Sequence, residues 1–336
     1  MKRTALSLVI AVLLLAMCGT LRVAHAPSLQ TLIDNAPTGS LLTVPAGNYS
    51  GPIVINKPLT LIGQGSDTVI QTDQWIQVVR INASKVTFEH FTIVGGWIGL
   101  AIINAYINYT ERIEIWDISD VTVSNLTIQN SYYAVTMNQA VSNVQLLNSQ
   151  LINDAEGISL QNCTGVTIRN LNITGRSIGI YFNQLNHQNT VSGTTISNCD
   201  YALIMQDSYR DVLSQNTLSN NKIGIFDLYH PDVLAGDLPA ISNNLYYLNN
   251  MINNTVQVQI QATVNDRWDN GTLGNYWSNY NGTDINLDGI GDTPYIIQGT
   301  NIDHYPLMTD PPPQAPTTPQ FRFPSPIGAR RGVAIN

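Results

Sequence analysis

The sequence predicts an all-β fold, a right-handed parallel β-helix with coils of about 22–23 residues and a short N-terminal capping helix. Two motifs and one turn pattern predict it. Taking residues 121–128 as a template, the position of Ile128 recurs at Leu151, Ile173, Ile196 and Leu218, in steps of 23, 22, 23 and 22. A second motif, a small residue followed by an apolar one, starts at Ala134, Gly157, Gly179, Ala202 and Gly224 with the same steps. Asparagine and glycine recur at the turns in that phase, at Asn125, Asn148, Asn170 and Gly193, and at Asn130, Asn153, Gly175, Asn198 and Asn220. Both residue types tolerate left-handed turns. Strands this short, divided by such turns, leave no room for the helices of a βαβ sheet.

Within a coil, strand alternation sends Val135, Ile158, Ile180, Leu203 and Ile225 to one side, taken as the interior. Met137, Leu160, Phe182 and Met205 form a second inward column, and Thr136, Ser159, Tyr181, Ile204 and Phe226 face outward. Ile70 and Ile93 continue the series toward the N-terminus. Before them, Leu29, Leu32 and Ile33 stand at helical spacing, which predicts a short amphipathic helix covering the first open coil.

The ends differ in character. Lys2 and Arg3, the apolar run 8–17 and Ala24-His25-Ala26 read as an export signal over residues 1–26. That run is too short for a comfortable membrane span, so no anchor is expected beyond the signal segment. The coils are expected over 27–265, a distinct cap over 266–310, and an extended Pro-rich tail over 311–336. A net charge of -8 with no basic stripe argues against nucleic acid as a partner. Of the mature cysteines, Cys163 and Cys199 fall in different columns of the repeat, which disfavours a disulfide between them.

Regularity breaks twice. The steps from Ile93 to Ile128 and from Leu218 to Met251 are 35 and 33 residues, so extra chain follows the same strand of two coils. Both insertions leave one corner, about 24 Å apart along the axis, and would bracket a lateral groove. Asn138, Gln161, Asn183 and Gln206 line that corner, with His187 and Asp232 beyond them, as candidate carbohydrate-binding residues. A structural amide ladder explains the first four equally well. Asp207, Arg210, Asp227 and His230 are the candidates for acid/base work, since sugar chemistry needs paired carboxylates. Asp227 occupies the column of Phe182 and Met205, so either the strand has ended there or a carboxylate faces inward and is paired. Turn chemistry and an ordinary surface ion pair form the alternative for the whole group.

Residues 266–310 carry seven acids and one base, Arg267. Asp284, Asn286, Asp288, Ile290 and Asp292 follow the spacing of a calcium loop with Gly289 at its turn, although Tyr295 stands where a bidentate acid belongs. A plain Asp-Gly turn is the alternative. Trp268, Tyr276, Trp277 and Tyr280 are expected to close the last coil, with stacking on sugars the competing role.

Three stretches carry a resemblance. Val44-Pro45-Ala46-Gly47-Asn48-Tyr49 with Gly63-Gln64-Gly65, then Gly274-Asn275-Tyr276-Trp277-Ser278-Asn279-Tyr280, then Asp288-Gly289-Ile290-Gly291-Asp292 with Asp303-His304-Tyr305-Pro306-Leu307, are similar to NosD-like proteins. The coils resemble the carbohydrate-binding and sugar-hydrolysis type of parallel β-helix domain, and the likeness covers about residues 28–308. It implies an exported protein and, by family alone, a copper-binding accessory role in maturation of nitrous oxide reductase. The residues themselves offer copper little: His90, His187, His230 and His304 are scattered, and Met137 and Met205 sit in core columns. Paired-Asp and Gly-His-Gly motifs of polygalacturonase relatives are missing from the sequence. The expectation is therefore an exported periplasmic, surface or extracellular protein with a non-catalytic scaffold role or a carbohydrate or cell-surface polymer as partner. The copper accessory, and a polysaccharide hydrolase, lyase or epimerase, are the alternatives.

Overall fold

The computed structural model describes residues 28–103, 117–228, 242–261 and 265–310. The expected signal segment and Pro-rich tail lie outside them. Two compact units divide the chain, residues 1–36 and 37–336. In the first, helix α1 (Leu29–Asn35) starts at Ser28, whose hydroxyl accepts from the Thr31 N–H, and it buries Leu29 and Ile33. That is the amphipathic helix the spacing of its apolar residues requires.

The second unit winds into a parallel β-helix of about nine turns. Each turn gives one short strand to each of three parallel stacks. Phe88, Val123, Leu146, Ile168, Val191, Leu213 and Tyr246 stand in register in the first stack. The second holds Ile93, Ile128, Leu151, Ile173, Ile196, Leu218 and Met251. The third carries both inward columns expected from the repeat, and Val135, Ile158, Ile180, Met137, Leu160 and Phe182 are all 0% exposed. Burying side chains of this size is worth about 1.5–3 kcal/mol each, and in a solenoid every coil depends on its neighbours for that burial.

The turns behave as their residues demand. Asn125, Asn148, Asn170, Gly193 and Gln215 all have positive φ between 49° and 59°, as do Asn130, Asn153, Asn198 and Asn220 near 60°. Gly175, expected in the second of these columns, does not adopt positive φ and instead brings its backbone close to the Cys199 sulfur. Gly179 is needed for space: a Cβ there would meet Ala202 O at 2.5 Å and the Ile196 side chain at 2.4 Å.

A second set of amides, which the repeat analysis did not single out, holds the corners from inside. Asn249 Oδ1 accepts from the Asn216 backbone N–H at 3.1 Å, and Asn275 Oδ1 from Asn249 N–H at 3.1 Å. Asn249 Nδ2 donates back to Leu213 O at 2.8 Å. Parallel ladders run from Asn189 through Asp211 and Asn244 to Asp266, and from Cys199 through Asn221 to Asn254. Each satisfies corner N–H groups that have left the strand ladder, at positions water does not reach.

At the C-terminal end Trp277 stacks in register on Met251, and Trp268 lies flat on Tyr246 with ring centroids 4.3 Å apart. An antiparallel pair, Tyr295–Gln298 with Asn301–Asp303, follows. Asp303 Oδ2 accepts from Trp277 Nε1 at 2.8 Å and from Asn275 N–H at 2.7 Å. The indoles thus end the apolar columns, the closing role expected of them.

Replacing Asn249 by Ala strands the Asn216 N–H and the Leu213 carbonyl inside the corner. The expected loss is about 1–3 kcal/mol in urea unfolding. Asn249→Asp, which keeps the acceptor, is expected to lose less at pH 5; equal losses would mean the ladder is not what matters.

Candidate functional site on the outer face of the third stack

The third stack places both insertions as expected. Strand Ile98–Ile103 ends with Ile103 opposite Asn138, and strand Ile223–Leu228 ends with Leu228 opposite Gln206. The segments that follow, 104–116 and 229–241, lie outside the described residues, and with them His230 and Asp232. Between the two strands Asn138 pairs with Gln161 and Asn183 with Gln206, all four half-exposed on the outward side. The side chains of this row do not hydrogen-bond to one another; instead the Tyr181 hydroxyl donates to Gln206 Oε1.

The other margin of the same face is aromatic, and the sequence reading overlooked it. Trp75, Trp97 and Tyr132 are 68%, 39% and 41% exposed. Trp75 meets Tyr132 edge-on at 5.8 Å, Trp97 meets Tyr133 at 6.1 Å, and Tyr132 meets Tyr133 at 4.8 Å. Glu156 is the register neighbour of Tyr133, and burial raises the pKa of both. The column between the margins, Thr136, Ser159 and Ile204, is buried. The available signal was an aromatic residue just before the second motif at Trp97, Tyr132 and Tyr133, once the phase is known.

Among the described residues, the acid/base candidates do not gather on this face. Asp227 points inward, in register between Met205 and Ile260, and is 2% exposed. The strand continues through it, so the second of the two readings holds: the carboxyl is buried and paired. Tyr246 OH donates to its Oδ2 at 3.4 Å, and its carboxyl faces that of Asp266. Asp266 is fixed by the ladder, where Oδ1 accepts from Asn244 N–H at 2.8 Å. Burial first, then the facing Asp266 charge, holds Asp227 well above the carboxylate range, so it keeps a proton and donates it to Asp266. Asp207 is 4% exposed at a left-handed turn and adds to that repulsion, while Arg210 sits at positive φ on the turn beyond.

His187 also departs from its expected neighbour. It bridges to Tyr209 rather than aligning with Arg210, because this turn is 22 residues from its counterpart and not 23. Its ring lies flat on Tyr209 at 4.9 Å with Thr164 Oγ1 at 3.1 Å from Nε2, and burial lowers its pKa.

The calcium-loop residues turn their oxygens onto the loop itself. Asp284 accepts from Asp288 N–H at 3.1 Å and Gly289 N–H at 2.9 Å, Asp288 from Ile290 N–H at 2.8 Å, and Asp292 from Ile285 N–H at 2.8 Å. Gly289 has φ of 85°, and Tyr295, at the position a bidentate acid would fill, stacks on Trp277. Calcium finds no support in this arrangement. Copper does not fit either. Cys163 and Cys199 are free and buried, and burial pushes their thiols up to about 12 and about 11. Cys163 Sγ donates to Met137 O at 3.3 Å, and His304 is taken by Asp269. Among the described residues no three His, Cys, Asp or Glu side chains are grouped to hold a metal ion. Protonated, separated thiols and thioethers inside a core are not a copper donor set.

Fold and face together define a class: a parallel β-helix with one aromatic and amide-lined outer face. Residues 66–282 match the family described as periplasmic copper-binding protein (NosD), and the chain belongs to that family. A cell surface glycoprotein of Methanothermus fervidus is 32% identical over 106 residues, which is 31% of this chain and 16% of that protein. The chain thus matches well under two thirds of that relative's length. Among solved structures, an alginate lyase from Paenibacillus sp. is 13% identical with a TM-score of 0.47, over 74% of this chain and 94% of that one. Pectate lyase Pel9A is 13% identical with a TM-score of 0.48, over 73% and 75%. No helix among the described residues is long and apolar enough to cross a membrane.

Two outcomes are expected. Asp154 and Asp211 are pushed up to about 7 and Asp303 to about 6, chiefly by burial, and burial with the facing Asp266 raises Asp227 as well. Raised folded-state values mean that the folded protein holds protons the unfolded chain has released. Stability is then full below about pH 4 and falls as pH rises toward 7. Melting midpoints measured from pH 4.5 to 8 should decline, and Asp227→Asn should flatten the decline; a rising curve would refute the buried protons. Separately, a thiol reagent at pH 8 should label neither Cys163 nor Cys199 until denaturant is added, and prompt labelling of the native protein would contradict their burial.

Proposed function

We propose that this is an exported, cell-surface protein that binds carbohydrate without turning it over. The single observation that carries the reading is the outer face of the third stack. There, half-exposed amides stand in register along one margin from Asn138 to Gln206 and exposed aromatic rings along the other from Trp75 to Tyr132, the two rows meeting on the coil of Tyr133–Leu147. Amides offer both donors and acceptors to hydroxyl groups, and rings offer flat apolar surface, which is the pairing a sugar requires. Membership of a family described as periplasmic and likeness to a cell surface glycoprotein support export. Because Asp207 and Asp227 are both buried, the described acids of this region do not form the open pair that cleavage or epimerisation would use.

The test is affinity electrophoresis of the purified chain through a panel of soluble polysaccharides. Retardation by at least one is expected, with no new reducing ends or unsaturated products after long incubation. Gln161→Ala with Asn183→Ala should weaken retardation severalfold without moving the melting midpoint. Turnover of any polymer would overturn the non-catalytic reading, and failure to bind the whole panel would overturn carbohydrate binding.

A further inference from the structure

We infer that Trp75, Trp97, Tyr132 and Tyr133 form the stacking site for a neutral polysaccharide laid along the helix axis, a proposal that rests on the carbohydrate-binding reading above. Three of these rings are exposed, although large apolar side chains elsewhere in this unit are mostly buried. They are also contiguous, with ring centroids 4.8 to 6.1 Å apart in edge contacts. Contiguous exposed rings are not explained by the core, which is complete beneath them: Val79, Leu100 and Val135 are 0% exposed in the inward column of the same coils.

The rings come from successive turns at one corner. Trp97 N–H donates to Ile76 O at 2.8 Å, next to Trp75, and Tyr133 N–H donates to Trp97 O at 2.9 Å. Trp75 and Tyr132 stand two coils apart, yet their centroids lie 5.8 Å from one another, so the side chains converge into one compact patch. Gly95 and Gly96 shape the corner: both have φ of 79°, and a Cβ on Gly96 would lie 2.8 Å from Ile76 O. The turn that carries Trp75 also lines a cleft of about 550 Å³ with Ser50, Gln71, Thr72, Asp73 and Gln74. Hydroxyl groups of a sugar at the end of the shelf find their hydrogen-bond partners there.

Charge selects the polymer. Asp73 lines the cleft beside Trp75 and Glu156 is the register neighbour of Tyr133, so the charges placed at the shelf are acidic, and the chain carries -8 overall. A polyanion such as a polyuronate gains nothing from this surface and is repelled at longer range. Ring faces with C–H groups on both sides, as in an equatorially linked neutral glycan, gain most from stacking on indole and phenol.

The experiment titrates the full chain with a neutral β-1,4-linked glucan hexasaccharide and with an oligogalacturonate, reading tryptophan fluorescence and calorimetric heat. The neutral oligosaccharide is expected to bind and to shift the emission, and the anionic one to do neither. Trp97→Ala should weaken binding about tenfold, and Trp97→Ala with Tyr132→Ala should abolish it, while Trp97→Phe restores most of it. The exposed positions should leave the melting midpoint unchanged, so lost binding is not lost fold. Unchanged affinity in the double variant, with Gln161→Ala abolishing binding, would overturn the shelf and leave the carbohydrate reading standing. Preference for the oligogalacturonate would overturn the charge argument and the choice of polymer. Wild-type protein that binds neither, and no glycan of the wider panel, would overturn both readings.

Discussion

A coil can stack on the next only if the backbone at its corners is satisfied, and here that depends on side-chain amides inside the turn. Asn216, Asn249 and Asn275 each lend a carbonyl oxygen to the N–H of the coil before, and Asp303 ends the run. The corner peptide groups have left the strand ladder and are shut off from water, so an empty acceptor there would cost as much as a lost core contact. With the corners held, the apolar columns stay in register, and the outer face inherits the same regular spacing.

The same device explains why acids lie inside an apolar coil. Asp211 and Asp266 occupy ladder positions in which asparagine serves at Asn189 and Asn244, and their carboxyl oxygens accept the same backbone N–H groups. Asp266 has one more oxygen than its ladder position uses, and Asp227 meets it from the third stack. Two buried carboxyls that face each other cannot both be charged, so one proton is shared between them. Interior chemistry of this kind alters how stability varies with pH. It does not present a reactive group to a polymer outside.

Function on such a scaffold is a matter of what the outward positions carry. The inward residues are fixed by packing and the corner residues by hydrogen bonding, which leaves the outward columns free to differ between relatives. In this chain they carry amides on one margin and rings on the other. The copper named for the family has no matching donor set among the described residues, where Cys163, Cys199, Met137 and Met205 are core and the rings of His187 and His304 are already engaged.

The repeat alone determined the coil length, both inward columns, the left-handed turn positions and the shared corner of the two insertions. These follow from periodicity, because strand alternation and turn geometry are local rules that a 22–23-residue phase makes visible. The amide ladders have the same phase, two residues before the inward positions Leu213, Leu218 and Met251, but nothing local marks an asparagine as turned inward and not out. Only the tertiary structure decided that. It also decided the fate of Asp227, since a carboxylate in a core column is legible as an anomaly while its partners, Tyr246 and Asp266, are 19 and 39 residues away in sequence. The aromatic shelf is a contact between coils, so Trp75, Trp97 and Tyr132 read in sequence as separate surface residues. They become one surface only when the stacking brings their turns together.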